Sequence, residues 1–228
     1  MAQHGRLIAI IGPLGIRPML QLSFPARRLL VYLAIRGGTV VRPSASAELW
    51  PDRPEDSGRA SLRRSLWQVP HEWISVIGDM LVLEAECDLP LARHSAARAL
   101  EGQRLTFDEI DVLSGDLLPG WHEEWALAAH EEFRMLRVQA LEAACRTMTA
   151  QGNYPLAVQA GAAAIAAEPL RESATEALID AHLAQHNRFE AVQCFRVLSS
   201  RLQQELGVEP ETQLVAKMAA LIDRCAVA

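Results

Sequence analysis

Several arginines fall within one short segment of this chain, among small and apolar residues. Arg59, Arg63 and Arg64 belong to it. A guanidinium can bind a phosphate as a fixed charge or a guanine through two parallel hydrogen bonds, so these residues could contact nucleic acid. Ser61 and Gln68 add short polar groups that could reach a base edge or a phosphate. A solvated helix face with pairing inside the helix is the alternative, and the residues alone favour it.

A helix over Ser57–Val69 is predicted to carry these side chains. Leu62 and Leu66 fall within about 60° of Val69 on a helical wheel, which predicts the buried face. The opposite side holds Ala60, Ser61, Arg64, Trp67 and Gln68, with Arg63 on its flank. We expect Trp67 to pack under the hairpin that follows or to cap the domain, rather than to stack on a base.

Short elements are predicted on both sides of this helix. A Gly78-Asp79 pair between two β-branched runs predicts a hairpin directly after it. Proline at a first helical turn and glycine after a last one delimit the helices before it. The predicted elements are strands at Arg6–Ile11 and Met19–Phe24, helices from Pro25 to Gly37 and over Ser44–Trp50, and the hairpin strands Trp73–Ile77 and Met80–Glu84.

The second half of the chain contains a repeat. The pattern G-N-Y-x-x-A at 152–157 is similar to H-N-R-F-x-A at 186–191, and Gly152 and His186 are 34 residues apart. This is the period of a tetratricopeptide helix pair. Helices are predicted near 122–150, 154–167, 171–185, 188–206 and 211–225, whereas Cys87–Glu101 has no clear pattern and residues 100–103 are the best domain boundary.

Charge is distributed unevenly along the chain. Residues 1–100 carry 12 arginines and 9 acidic residues, a net +3, and the rest carries −9 of the total of −6. A basic first part and an acidic second part fit a protein whose first domain contacts nucleic acid. Two unrelated domains that differ in composition by chance would give the same asymmetry. The four cysteines form no C-x-x-C pair, and no metal, cofactor or catalytic motif occurs, so we expect neither an enzyme nor a metal site. Without a signal peptide or a long apolar run, a cytoplasmic protein that does not enter the membrane is expected.

At this point several segments resemble the SARP-type transcriptional activators, which switch on antibiotic pathway genes in actinobacteria. The matching segments are L-L-V-Y-L-A-I-R-G-G at 29–38, E-L-W-P-D at 48–52, R-A-S-L-R-R-S-L-W at 59–67, G-D-L-L-P-G-W-H-E-E-W at 115–125, E-P-L-R-E at 168–172 and E-L-G-V-E-P-E-T at 205–212. The resemblance implies a mainly α protein with a small antiparallel β component. A winged-helix DNA-binding domain at 1–100 would precede a bacterial transcriptional activator domain (BTAD) of tetratricopeptide-like helices at 101–228.

The same resemblance implies what the protein does. It implies an activator that binds promoter repeats in double-stranded DNA through its third helix. The implied DNA-binding residues are Arg59, Ser61, Arg63, Arg64 and Gln68. A homodimer is expected through the second domain, with RNA polymerase as a further partner.

This chain departs from the family in the third helix and at the hairpin. The family usually carries an asparagine where Ser61 stands, and a basic residue, a leucine and a second basic residue where Gln68-Val69-Pro70 stands. The hairpin tip Val76–Leu81 has Asp79 but no arginine or lysine. Phosphate contacts supply much of the affinity of a protein for DNA. An alternative therefore remains open, in which the chain has lost DNA binding and acts as a protein–protein interaction module.

Overall fold

The chain forms a mainly helical structure with two small sheets. The computed structural model describes the backbone of residues 7–226 and the side chains of residues 7–221. The strands are β1 (Leu7–Ala9), β2 (Gly15–Arg17), β3 (Thr39–Val41), β4 (Ile74–Ile77), β5 (Met80–Leu83) and β6 (Glu86–Cys87). The helices are α1 (Phe24–Ile35), α2 (Arg42–Leu49), α3 (Glu55–Gln68), α4 (Asp88–Leu100), α5 (Phe107–Ser114), α6 (Glu124–Ala150), α7 (Tyr154–Ala167), α8 (Glu172–Ala184), α9 (Arg188–Glu205) and α10 (Thr212–Ala226). The predicted fold class is confirmed.

The elements divide into two compact units. One contains the described residues up to Arg93 together with Gly115–Phe133, and the other contains His94–Ser114 together with the residues from Arg134 on. Because these units alternate along the chain, the division into domains at residue 100 remains a prediction. No helix in residues 7–226 is long and apolar enough to cross a lipid bilayer.

The predicted hairpin is present and belongs to a three-stranded sheet. β4 pairs antiparallel with β5 around Gly78, which adopts a positive φ of 58°. β3, which the sequence did not predict, pairs with the other edge of β5 and places Val41 opposite Met80. Gly38 and Gly37, with φ of 87° and 80°, turn the chain from the end of α1 into β3.

The N-terminal sheet differs from its prediction in the second strand. β2 is Gly15–Arg17 rather than Met19–Phe24, because a tight turn at Gly12 (φ 81°) brings the next few residues back onto β1. β1 is only three residues long, so its antiparallel partner ends at Arg17. Its other edge pairs in parallel with β6. Arg6, the predicted start of the first strand, lies outside the described residues.

The segment that had no clear pattern begins with a long-range anchor. Asp88 is the first residue of α4, and its carboxylate accepts hydrogen bonds from the backbone N–H of Ile10 (2.9 Å) and of Ile11 (3.0 Å). Ile10 is fully buried. Asp88 therefore satisfies two backbone donors just after β1, and its negative charge favours the N-terminus of α4.

The repeat in the sequence corresponds to a repeated turn. Gly152 after α6 and His186 after α8 both adopt positive φ, of 73° and 60°. In each case the next residue closes the helix end: Asn153 N donates to Met148 O, and Asn187 N donates to His182 O, which is likewise five residues back. Both turns have the left-handed helix ending that glycine favours. The 34-residue period thus repeats a backbone conformation as well as residue types.

We expect His186→Gly to stabilise the helical unit by about 0.5–1 kcal/mol. A residue with a Cβ pays a steric cost in the left-handed region that glycine avoids, although glycine also makes the unfolded chain more flexible. Gly152→Ala at the equivalent turn is the matched control and should destabilise by about the same amount. Urea unfolding followed by circular dichroism measures both. A His186→Gly variant that unfolds at lower urea would contradict this account.

Small residues let the helices of the second unit approach closely. Ala157, Ala160 and Ala164 are buried on α7, with Gly161 between them. A Cβ on Gly161 would lie 3.0 Å from the sulfur of Cys145 and 3.1 Å from the side chain of Leu178. α7 thus packs against α6 and α8 at a separation that excludes larger side chains.

The E-P-L-R-E segment joins α8 to α6 through Glu142. Arg171 Nε donates to the Glu142 carboxylate over 2.7 Å and Ser173 Oγ over 2.9 Å. Burial alone would raise the pKa of Glu142, but these hydrogen bonds and one from Arg146 outweigh it, and the pKa lies below its ordinary value. The corresponding stabilisation is present above that ordinary pKa and is lost as the pH falls through the lowered one.

Candidate nucleic-acid interface

α3 is held against α2 by small residues. Gly58 and Ser65 are buried on its inner face together with Leu62. A Cβ on Gly58 would lie 2.9 Å from the hydroxyl oxygen of Ser46 on α2. The backbone of α3 at Gly58 therefore packs directly against the Ser46 side chain. Val69 is also buried, as predicted. This packing fixes which side of α3 faces outward.

The three arginines predicted as contacts are all exposed, but they differ in their partners. Arg59 forms an ion pair with Glu55 one turn earlier. Arg64 Nη2 donates to the hydroxyl oxygen of Ser61 over 3.1 Å. Among the residues that the structure describes, Arg63 has neither a hydrogen-bond nor an ion-pair partner. Arg63 is therefore the arginine that can bind an external anion without first breaking an internal bond.

Ser61 lies on the inner side of the helix, and the prediction that it faces outward is wrong. Its exposure is 5%, and its hydroxyl donates to the carbonyl of Ser57 over 2.9 Å. The same oxygen accepts from Arg53 (2.9 Å) and from Arg64. A helical wheel could not show this, because the cover comes from the loop between α2 and α3. We propose that Ser61 positions Arg64 rather than contacting DNA itself.

If α3 binds DNA, Ser61→Ala should weaken that binding by about 1 kcal/mol, or roughly fivefold, because Arg64 must then be immobilised on binding. Ser65→Ala is a matched control. Ser65 is also buried and its hydroxyl also bonds a helix carbonyl, that of Ser61 (3.0 Å), but it bonds no arginine. Fluorescence anisotropy with a labelled duplex compares the two variants. Equal losses of affinity would remove the positioning role.

Two more residues on the exposed side complete the face. Gln68 is exposed, and its side-chain oxygen accepts a hydrogen bond from Ser23 before α1. Trp67 is 89% exposed, so the prediction that it has a packing role, under the hairpin or as a cap on the domain, is wrong. The hairpin core is filled instead by Trp73 and Leu81, at 1% and 0% exposure. The Trp67 ring therefore remains available at the surface.

A groove runs between α3 and the β4–β5 hairpin, and it contains a residue that sequence reasoning missed. Its larger part encloses about 700 Å³ and is lined by Arg63, Trp67 and His71 on one side and by Val76 on the other. Arg42, the first residue of α2, also lines it. The pairing of β3 with β5 brings Arg42 there, and β3 has no local signal in the sequence.

The hairpin presents apolar rather than basic side chains. Ile77, Met80 and Val41 form one cross-strand row and are 65%, 42% and 46% exposed. Asp79, the only charged residue between Val76 and Leu81, is exposed at the turn and lines the smaller part of the groove. Basic character in this region therefore comes from the helices.

Comparison with protein families identifies the chain. The bacterial transcriptional activator domain matches residues 79–222, which is more than half of the sequence. The chain belongs to the bacterial transcriptional activator domain family. This match confirms the resemblance to SARP-type transcriptional regulators found in the sequence.

The fold of this BTAD protein also has a counterpart among solved structures. The structure of Mycobacterium tuberculosis EmbR in complex with a low-affinity phosphopeptide matches it with a TM-score of 0.66 at 18% sequence identity. The match covers 96% of this chain and 65% of the EmbR chain, so this chain spans less than two thirds of that protein. At this identity the likeness concerns the fold alone. No curated protein sequence matches the chain.

The family-like segment at 115–125 of this BTAD protein has a structural role. Leu118 N donates to the carbonyl of Ile10 over 2.8 Å, which ties the segment to the end of β1. Trp125 packs edge-on against Tyr32 of α1, with ring centroids 5.5 Å apart, and against Trp121 at 6.0 Å. The segment thus completes the core of the unit that carries α3.

Proposed function

We propose that this chain is a DNA-binding transcriptional activator whose α3 enters the major groove of double-stranded DNA. One observation carries the proposal. The outward face of α3 presents Arg63, which has no partner among the described side chains, beside Arg59 and Arg64. Such a guanidinium, on the surface of a helix, can bind a phosphate or a guanine without first breaking an internal bond.

The dimensions and rigidity of α3 support the same proposal. A major groove about 12 Å wide admits one α-helix. Gly58, Leu62 and Ser65 hold the inner face of α3 on the domain, so its outer face can approach DNA without rearrangement. We assign Arg64 to base contact, because Ser61 orients it, and Arg59 to the phosphate backbone.

The rest of the proposed function follows from the family. Residues 1–100 would contain the DNA-binding domain and residues 101–228 the tetratricopeptide-like activator domain. A dimer would place two α3 helices on the repeats of a promoter, and RNA polymerase is the further partner that an activator needs. Light scattering of the purified chain at several concentrations would test the dimer.

An interaction module without DNA binding is the second candidate. The apolar row on the hairpin favours it, because Ile77 and Met80 stand where a DNA-binding wing would gain from basic residues. An exposed apolar row is typical of a protein-binding surface. In that case Arg63 would be an ordinary solvated residue of α3.

Binding to a labelled duplex of random sequence distinguishes the two candidates. Much of the affinity of a protein for DNA is electrostatic and independent of sequence, so an unknown promoter does not prevent the test. At low salt we expect saturable binding that weakens steeply as salt is added. Folded protein that leaves the anisotropy of the duplex unchanged would refute DNA binding, and retention of a protein partner by the same preparation would support the interaction module.

A further inference from the structure

Arg42 is held in place by its backbone, while its side chain has no hydrogen-bond or ion-pair partner among the described residues 7–221. Its backbone N–H donates to the carbonyl of Asp79 over 2.8 Å, and the preceding Val41 pairs with Met80. The side chain is half-buried, and its Nε is buried and donates a hydrogen bond to no group in the part of the chain that the structure describes. A buried donor that lacks an acceptor costs free energy, so the position favours an acceptor supplied from outside.

Arg63 faces the same groove from α3. Both arginines line its larger and its smaller part, and neither side chain has an ion-pair partner among the residues that the structure describes. Two guanidiniums along one groove repel each other unless an anion lies between them. The N-terminus of α2 adds to the positive potential, because no side chain caps it and its first turn holds no acidic residue.

We propose that Arg42 and Arg63 together bind one phosphodiester group of the DNA backbone in the groove between α3 and the hairpin. The inference rests on the proposed function and adds a contact from α2 to it. The site takes the place of the basic residues that the hairpin tip lacks, because Arg42 of α2 lies beside that tip, next to Asp79. A tetrahedral anion with several acceptor oxygens matches two guanidiniums that approach from different helices.

The carboxylate of Asp79 should lower the affinity of this site for a phosphate. It lines the smaller part of the groove together with Arg42, Arg59 and Arg63. A negative charge there repels a phosphate, so Asp79→Asn should raise the affinity for DNA severalfold. This variant acts in the opposite direction from an arginine substitution, and a general loss of folding cannot mimic its effect.

The test measures the affinity for a random-sequence duplex at several salt concentrations with the full chain. Arg42→Gln should weaken binding roughly tenfold at low salt and reduce the slope of log affinity against log salt by about 0.9, the value for one phosphate contact. Arg42→Lys keeps the charge but loses the fork, so it should keep the slope and lose part of the affinity. Arg196→Gln, an exposed arginine on α9, is the matched control and should change neither quantity.

Three outcomes would overturn the site, each in a different way. Wild-type chain that binds no DNA would refute the proposed function and this site with it. Wild-type binding that Arg42→Gln leaves unchanged in affinity and slope would leave the proposed function intact and remove Arg42. Inorganic phosphate that raises the melting temperature of wild type but not of Arg42→Gln, while both bind DNA equally, would show a site for free anions instead of DNA.

Discussion

Replacing both Arg63 and Arg64 by alanine is expected to weaken binding to double-stranded DNA on the order of 100-fold. A side chain that contacts a base or a phosphate contributes about 1–3 kcal/mol, and the two residues differ in role, so most of the two losses should add. The slope of log affinity against log salt should also fall by up to about 2. Anisotropy with a labelled duplex measures both quantities, and each single variant gives its share.

The control for this experiment removes one positive charge from the other unit of the chain. Arg196 is exposed on α9 in the other unit, so Arg196→Ala removes a positive charge without touching α3. If Arg196→Ala weakens binding as much as Arg63→Ala does, net charge rather than the α3 face governs binding. An unchanged affinity in the double variant would remove α3 from the interface.

Asp88→Ala is expected to destabilise the unit that carries α3 by about 2–4 kcal/mol. The carboxylate accepts from the backbone N–H of Ile10 and of Ile11, and its removal leaves both donors without this partner. Leaving a buried donor unsatisfied costs about 1–3 kcal/mol, and hydrogen bonds to a charged group are the stronger kind. The change also removes a favourable charge at the N-terminus of α4.

Tryptophan fluorescence during urea unfolding reports the stability of the unit that carries α3. All five tryptophans lie in that unit, at positions 50, 67, 73, 121 and 125. Asp88→Asn is the matched control: it keeps an acceptor oxygen but not the charge, so it should lose about half as much stability. A midpoint for Asp88→Ala within error of wild type would mean that the two backbone donors find other partners.

The elements with strong local signals could be predicted from the sequence. α3 and the hairpin were predicted to within about two residues, because Pro70 and the Gly78-Asp79 turn delimit them. The breaks between the later helices follow Gly152 and Gly207, which both adopt positive φ. The outward arginines of α3 followed from its leucine spacing.

What the sequence could not predict depends on contacts between distant residues. β3 consists of three residues and forms only because β5 lies beside it, so it has no local signal. Arg42 reaches the groove through that pairing. Asp88 meets Ile10 across 78 residues, a contact that periodicity cannot reveal. The burial of Ser61 depends on Arg53 from a loop, which a wheel drawn for one helix omits.

Photo-crosslinking from position 67 tests most directly whether the outer face of α3 meets DNA. Trp67 is 89% exposed beside Arg63 and Arg64, and Phe189 on α9 is 67% exposed, so p-benzoylphenylalanine can replace either ring without disturbing a core. We predict covalent attachment to a duplex from position 67, suppressed by high salt, and none from position 189. Attachment from position 189 but not from position 67, or from neither in protein that binds the duplex, would contradict the account.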